Sequence, residues 1–256
     1  MIIRILILFA AIATFQQANA NESVVAALSQ NRVSITANFD GSEILVYGAI
    51  KRDEPLPEAS ALHVIISVVG PLAPVLVRRK LYKFGIWVNA DSARIGQAPT
   101  FHAVATTGDL EKILSESEDL LHEVSVDQII EAVGKPANSE DSEIFREALI
   151  RLRTEEGLYS GFPVPVEFAE ETLFSTRFAL PANLVEGDYS VRIFLTRDGA
   201  VIDDHEQTIF VRKVGLERWI YNLAHDEPLA YGLLSLLIAV AAGWCASTVF
   251  RFVMKA

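Results

Sequence analysis

The segment LAYGLLSLLIAVAAGWCASTVF, residues 229–250, holds 22 residues and no charge. As a helix rising 1.5 Å per residue it extends about 33 Å, enough to cross the hydrocarbon layer of a bilayer. A buried helix of a soluble fold would need a polar face stronger than Ser235, Ser247 and Thr248 provide. One transmembrane helix is therefore predicted, and the chain before it has to fold as a domain tethered to a membrane. Arg251 and Lys255 follow the segment, whereas Asp226 and Glu227 precede it. Lys and Arg mark the cytoplasmic flank, so the tail 251–256 is expected in the cytoplasm. Within the segment Gly232, Ser235, Ala239, Ala242, Gly243 and Ala246 recur three and four apart. Such a stripe lets a second membrane helix approach closely, although lone anchors carry it too.

The other end reads MIIR, an apolar stretch over residues 5–15, then QQANA with small residues at Ala18 and Ala20. That is the pattern of a secretory signal peptide over residues 1–20, with cleavage expected after Ala20 and an uncleaved anchor as the alternative. Both ends agree on a single-pass topology with residues 21–228 outside the cytoplasm. The formal charge of −11 speaks against nucleic acid and against unaided attraction of the whole domain to anionic lipid. The sole cysteine, Cys245, lies inside the membrane segment, so no disulfide can hold the exported part together.

The exported part is rich in short β-prone runs. Runs at 32–39 and 43–50 flank Asp40-Gly41, which reads as a hairpin turn. An apolar strand over 62–69 ends at Gly70-Pro71, and 75–77 is expected to pair back on it. Further strands are expected at 85–89, 100–106, 163–168, 173–180, 189–196 and 201–211, with Arg197-Asp198-Gly199 as another hairpin turn. Between them, 109–133 and 139–156 have helical spacing; in the second, Ile144, Phe145, Ala148, Leu149 and Leu152 form an apolar stripe that Gly157 ends. The expected fold is mainly β: an immunoglobulin-like β-sandwich over 21–213 with a helical insertion at about 109–156, plus the single C-terminal transmembrane helix. Residues 214–228, VGLERWIYNLAHDEP, place Leu216, Trp219, Ile220 and Leu223 on one helical face. They read either as an amphipathic juxtamembrane helix or as a helix packed on its own domain.

The stretches FDGSEILVYGAI, VVGPLAPVLVRRKLYKFGIWVN, FREALIRLRTEEGLY, FALPANLVEGDYSVRIFLTRDGAV and KVGLERWIYNLAHDEPLAYGLLS together resemble the alphaproteobacterial putative transmembrane protein family. The resemblance spans nearly all of the chain after the leader. It implies the same architecture, a location in the bacterial inner membrane with a periplasmic domain, and a multispan permease of the sulfite exporter type as a partner. It implies no catalytic or ligand residues.

Arg78, Arg79, Lys80 and Lys83 crowd six residues, with Leu81, Tyr82, Phe84 and Trp87 interleaved or adjacent. Guanidinium and ammonium groups near an aromatic wall suit a small oxyanion or an acidic surface. The competing expectation pairs these cations with the acids of the helical insertion, Glu111, Glu116, Glu118, Asp119 and Glu123. No nucleophile motif is visible, and His63, His102, His122, His205 and His225 have no metal-ligand spacing. Asp203-Asp204-His205-Glu206 reads as a charged strand edge. The expectation is a non-enzymatic accessory or interaction protein without metal or cofactor, and the alternative is an oxyanion-binding module built on the 78–83 cluster.

Overall fold

The computed structural model describes residues 22–52, 61–133, 141–170 and 172–253. The expected leader, residues 134–140 of the expected helical insertion and residues 254–256 of the tail lie outside these.

Twelve strands and six helices follow in order among the described residues: β1 (Glu22–Leu28), β2 (Arg32–Ile35), β3 (Ser42–Arg52), β4 (Leu62–Val69), β5 (Leu72–Lys83), β6 (Ile86–Pro99), β7 (His102–Thr106), α1 (Leu110–Ile113), α2 (Glu116–His122), α3 (Val126–Val133), α4 (Asp141–Glu155), β8 (Val164–Pro165), β9 (Glu167–Ala169), β10 (Leu173–Leu180), β11 (Gly187–Arg197), β12 (Ala200–Lys213), α5 (Leu216–Asp226) and α6 (Pro228–Val253). One sheet has the order β1-β3-β10-β9, a second β2-β12-β11-β4-β7-β8, and β5 and β6 form a separate ladder. Mainly β, the fold is a two-sheet sandwich with a helical insertion between β7 and β8 and a long apolar helix at the C-terminus.

Side-chain alternation explains how the larger sheet comes to be covered on both faces. In β4, Val64, Ile66 and Val68 point between the sheets, where Tyr189, Val191, Ile193 and Leu195 of β11 and Val46, Phe174 and Phe178 of the first sheet meet them. The intervening Ile65, with Phe194 of β11 and Val104 of β7, points the other way and packs under Ile113, Leu114 and Val124 of the insertion. A strand buried on both faces has to be apolar at nearly every position, and IISVV in β4 is. The Tyr189 hydroxyl donates to Val185 O at 2.8 Å, which pins the start of β11 to the turn before it.

Several local expectations are corrected. Asp40-Gly41 is not a hairpin turn: β2 pairs in parallel with β12 in the second sheet, while β3 pairs with β1 in the first. The chain from β1 through β2 therefore crosses from one sheet to the other and stitches one edge of the sandwich. At the opposite edge β8 pairs with β7 and β9 with β10, so the chain crosses there as well. Residues 75–77 do not pair back on 62–69, because β11 and β7 occupy both sides of β4. The expected strand at 85–89 is part of the longer β6, the partner of β5. Residues 109–133 make three short helices rather than one. In α4 only Phe145 and Leu149 of the expected stripe are buried, whereas Ile144 and Leu152 are exposed.

Candidate functional site

Strand register fixes which features share an end of the sandwich. Gly187 of β11 opposes Val211 of β12, and Ser190 opposes Val69 of β4. The chain thus leaves β12 for α5 and α6 at the same end at which it leaves β4 for β5. β11 lies between the two exits, and its first residue touches one of them: a Cβ built on Gly187 would lie 2.6 Å from Pro71 Cγ. We call this the exit end. Arg197 and Ala200, at the other termini of β11 and β12, mark the far end.

From the exit end β5 and β6 extend as a long hairpin. Its base is anchored by Val77 and Ile95, both buried, and by the Tyr159 hydroxyl, which donates to Pro99 O at 2.6 Å. Phe84 and Gly85 close the turn at φ of 52° and 84°, the left-handed pair of the tight hairpin turns whose twist suits a β-ribbon. The register slips between Arg79 and Lys80, which marks a bulge where the ribbon leaves the body. Beyond it Leu81, Tyr82, Phe84, Ile86 and Trp87 are all exposed, Phe84 completely (103%) and Trp87 by 68%.

Opposed residues of an antiparallel pair share a face, which sorts the cations. On one face run Arg94 opposite Leu76, Arg78 opposite Ser92, Lys80 opposite Asn89 and Tyr82 opposite Trp87, whose rings meet edge to face at 5.3 Å. On the other face lie Arg79 opposite Asp91 and Lys83 opposite Ile86. The Arg79 guanidinium donates to Asp91 at 2.6 Å and lies 5.8 Å above the Phe145 ring. The four cations singled out in sequence, Arg78, Arg79, Lys80 and Lys83, therefore do not converge on one point. Arg78, Lys80 and Lys83 form no ion pair with a described residue. Two of the insertion's acids are engaged elsewhere: Glu118 pairs with His122, and Asp119 Oδ1 accepts from Val124 N and Ser125 N. Sequence reasoning missed Arg94 and Ile86, which join the cluster only through cross-strand register.

α5 begins its own contact with the domain through an ion pair of Arg218 with Glu186. Arg218, Tyr221 and Asn222 line a cleft of about 560 Å³ together with Ile35, Thr36, Lys213 and Val214. Trp219 and Ile220, on the opposite side of this helix, are exposed. Two residues of its apolar stripe, Trp219 and Ile220, thus face away from the sandwich, whereas Leu223 is half-buried.

In α6 the segment Pro228–Thr248 is long and apolar enough to cross a membrane, and none of it is buried against the rest of the chain. At 100° per residue Gly232, Ser235, Ala239, Ala242, Gly243 and Ala246 fall within an arc of about 100°. A Cβ added at Gly232 or Gly243 would meet nothing within 4 Å. Ser235 donates to Tyr231 O at 2.8 Å, which satisfies its hydroxyl within the helix.

The buried titratable groups serve the fold. His102 Nε2 lies 3.0 Å from Val124 O and donates to it, and burial holds its pKa down at about 4, with the nearby Arg192 cation pushing the same way. Arg192 itself donates to His122 O and Glu123 O at 2.6 and 2.7 Å, tying the insertion to β11. At the far end the buried Glu22 carboxylate accepts from Arg197 at 2.5 Å and lies 3.4 Å from Arg52 Nε. Asp203, from the acidic run in β12, accepts from Val24 N at 2.7 Å. No group of three or more His, Cys, Asp or Glu placed to hold a metal occurs among the described residues.

No curated protein matches the chain. Among solved structures it is similar to the crystal structure of Spo0M, a sporulation control protein from Bacillus subtilis, at 12% identity and a TM-score of 0.28, over 79% of this chain and 52% of that one. The chain thus spans about half the length of that protein, and no function is drawn from the likeness. A family model described as putative transmembrane protein (Alph_Pro_TM) matches residues 23–252, the whole of the sandwich, α5 and nearly all of α6. The chain belongs to that putative transmembrane protein family.

Proposed function

We propose that this protein is a non-enzymatic accessory subunit of the bacterial inner membrane, anchored by α6 with its tail in the cytoplasm and its sandwich in the periplasm. It binds a multispan membrane partner, for which a permease of the sulfite exporter type is the first candidate. The observation that carries this reading is α6 itself: a 26-residue helix with a face of small residues and no cover from its own chain. Lipid alone would satisfy its apolar side chains. The small-residue arc adds a surface on which another helix can pack at close range. The oxyanion alternative is not favoured, because Arg79 is engaged by Asp91 and the remaining cations split between two faces.

Crosslinking of the tagged full-length protein in its native membrane, followed by mass spectrometry, tests the proposal. A reproducible multispan protein is expected, and it should disappear when residues 229–250 are exchanged for an unrelated apolar helix of equal length. Recovery of the same partner after that exchange would remove α6 from the interface, and recovery of no partner would overturn the accessory role.

A further inference from the structure

We infer that the tip of the β5–β6 hairpin is a second membrane contact, which inserts its aromatic end into the interface of an anionic bilayer while its cations bind the lipid headgroups. This rests on anchoring by α6 and not on the identity of any protein partner.

Conformation supplies the first ground. Phe84 is fully exposed and sits at φ 52°, in the left-handed region where Gly and Asn are comfortable and an aromatic residue is not. Nothing in the sandwich is gained by placing it there. A residue kept in an unfavourable conformation without contacts to its own chain is placed for contact with something outside it. Its neighbours Tyr82, Ile86 and Trp87 are exposed too. Tyr and Trp are the side chains that sit best at headgroup level, with one apolar part and one polar atom.

Charge is the second ground. Between Leu72 and Pro99 the hairpin has five cations and one acid, in a chain whose formal charge is −11. Arg94, Arg78 and Lys80 line up along one face toward the Tyr82–Trp87 pair, and the single acid, Asp91, is on the other face and is taken up by Arg79. A row of cations ending in an aromatic tip is complementary to anionic headgroups over an acyl boundary.

Placement is the third. The hairpin starts at the exit end, one strand away from the point where the chain turns into α5 and α6. Beyond the Arg79/Lys80 bulge β5 projects from Lys80 to Lys83, about 13 Å at 3.3 Å per residue, close to the roughly 16 Å of α5. The free end of the ribbon thus matches α5 in reach, and α5 leaves Trp219 and Ile220 exposed at the same end.

The test uses the full-length chain with Trp219→Phe and Trp244→Phe, so that Trp87 is the only tryptophan. It is reconstituted in vesicles of phosphatidylcholine with or without phosphatidylglycerol, with brominated lipid as the quencher. Trp87 emission is expected to shift to the blue and to fall about twofold with brominated lipid when phosphatidylglycerol is present, as for an indole at the interface. Replacing Arg78, Lys80 and Lys83 by Glu should abolish the quenching, since each juxtamembrane cation is worth about fivefold in partitioning. Phe84→Asn should weaken it while leaving thermal unfolding unchanged or slightly later, which separates a lost lipid contact from a lost fold. Trp87 that stays open to acrylamide and blind to brominated lipid in every vesicle would overturn the inference. So would quenching that is equal in both lipids and indifferent to the Glu variant, or protection that appears only when a membrane protein is added.

Discussion

His102 shows how much one side chain can contribute to an acid limit on this fold. Its Nε2 bonds to Val124 O at 3.0 Å while the ring is neutral, and burial lowers its pKa from 6.5 to about 4. The unfolded chain takes up a proton near pH 6.5, whereas the folded one resists until about pH 4. Stability is therefore complete above 6.5 and declines as the pH falls through that window, by about 3 kcal/mol in all. Urea unfolding of the detergent-solubilised protein should show midpoints that drop between about pH 7 and about pH 4.5, and His102→Gln should flatten that slope. Glu22 is the second residue with a large stake. Its carboxylate, 3% exposed, sits between Arg197 and Arg52. Glu22→Ala removes a buried partner from charged groups and should lower stability by about 3 kcal/mol, read as an earlier thermal transition.

At the scale of elements, the sequence is most informative where a period repeats within one element. β11, β12 and α6 are legible because each carries its own pattern: alternation after Gly187-Asp188, a left-handed pair at Asp198-Gly199 (φ 50° and 81°), and an uninterrupted apolar run. Asp40-Gly41 misleads for a physical reason: a D-G pair permits a turn but does not choose the partner strand, and β2 finds β12 some 180 residues later. The hairpin is half legible. Its cations and aromatics stand out in the sequence, but the faces they occupy depend on a bulge at Arg79/Lys80 and on Arg94 arriving from the other strand. Single-residue periodicity does not carry cross-strand register. The stripe of α5 likewise admits two readings from sequence, and in the structure Trp219 is exposed while Arg218 pairs with Glu186.

At the scale of the whole molecule, the sandwich has two ends with different duties. The exit end carries the hairpin base, α5 and α6. The far end carries Glu22, clamped by Arg197 two residues after the expected cleavage site. From Ala200 to Lys213, β12 alone separates these ends by about 43 Å. The six residues between the apolar part of the leader and Glu22 reach at most about 21 Å when fully extended. A leader still held in the bilayer that contains α6 would thus pull Glu22 out of its seat while the exit end rests on the membrane. The mature protein should begin at Asn21, as N-terminal sequencing of the membrane fraction would establish, and a variant blocked at Ala20 should expose β1 to protease. If the leader is cleaved as expected, the Glu22 clamp would close the β1 edge of the sandwich only after processing, and an uncleaved chain would carry an unfinished edge.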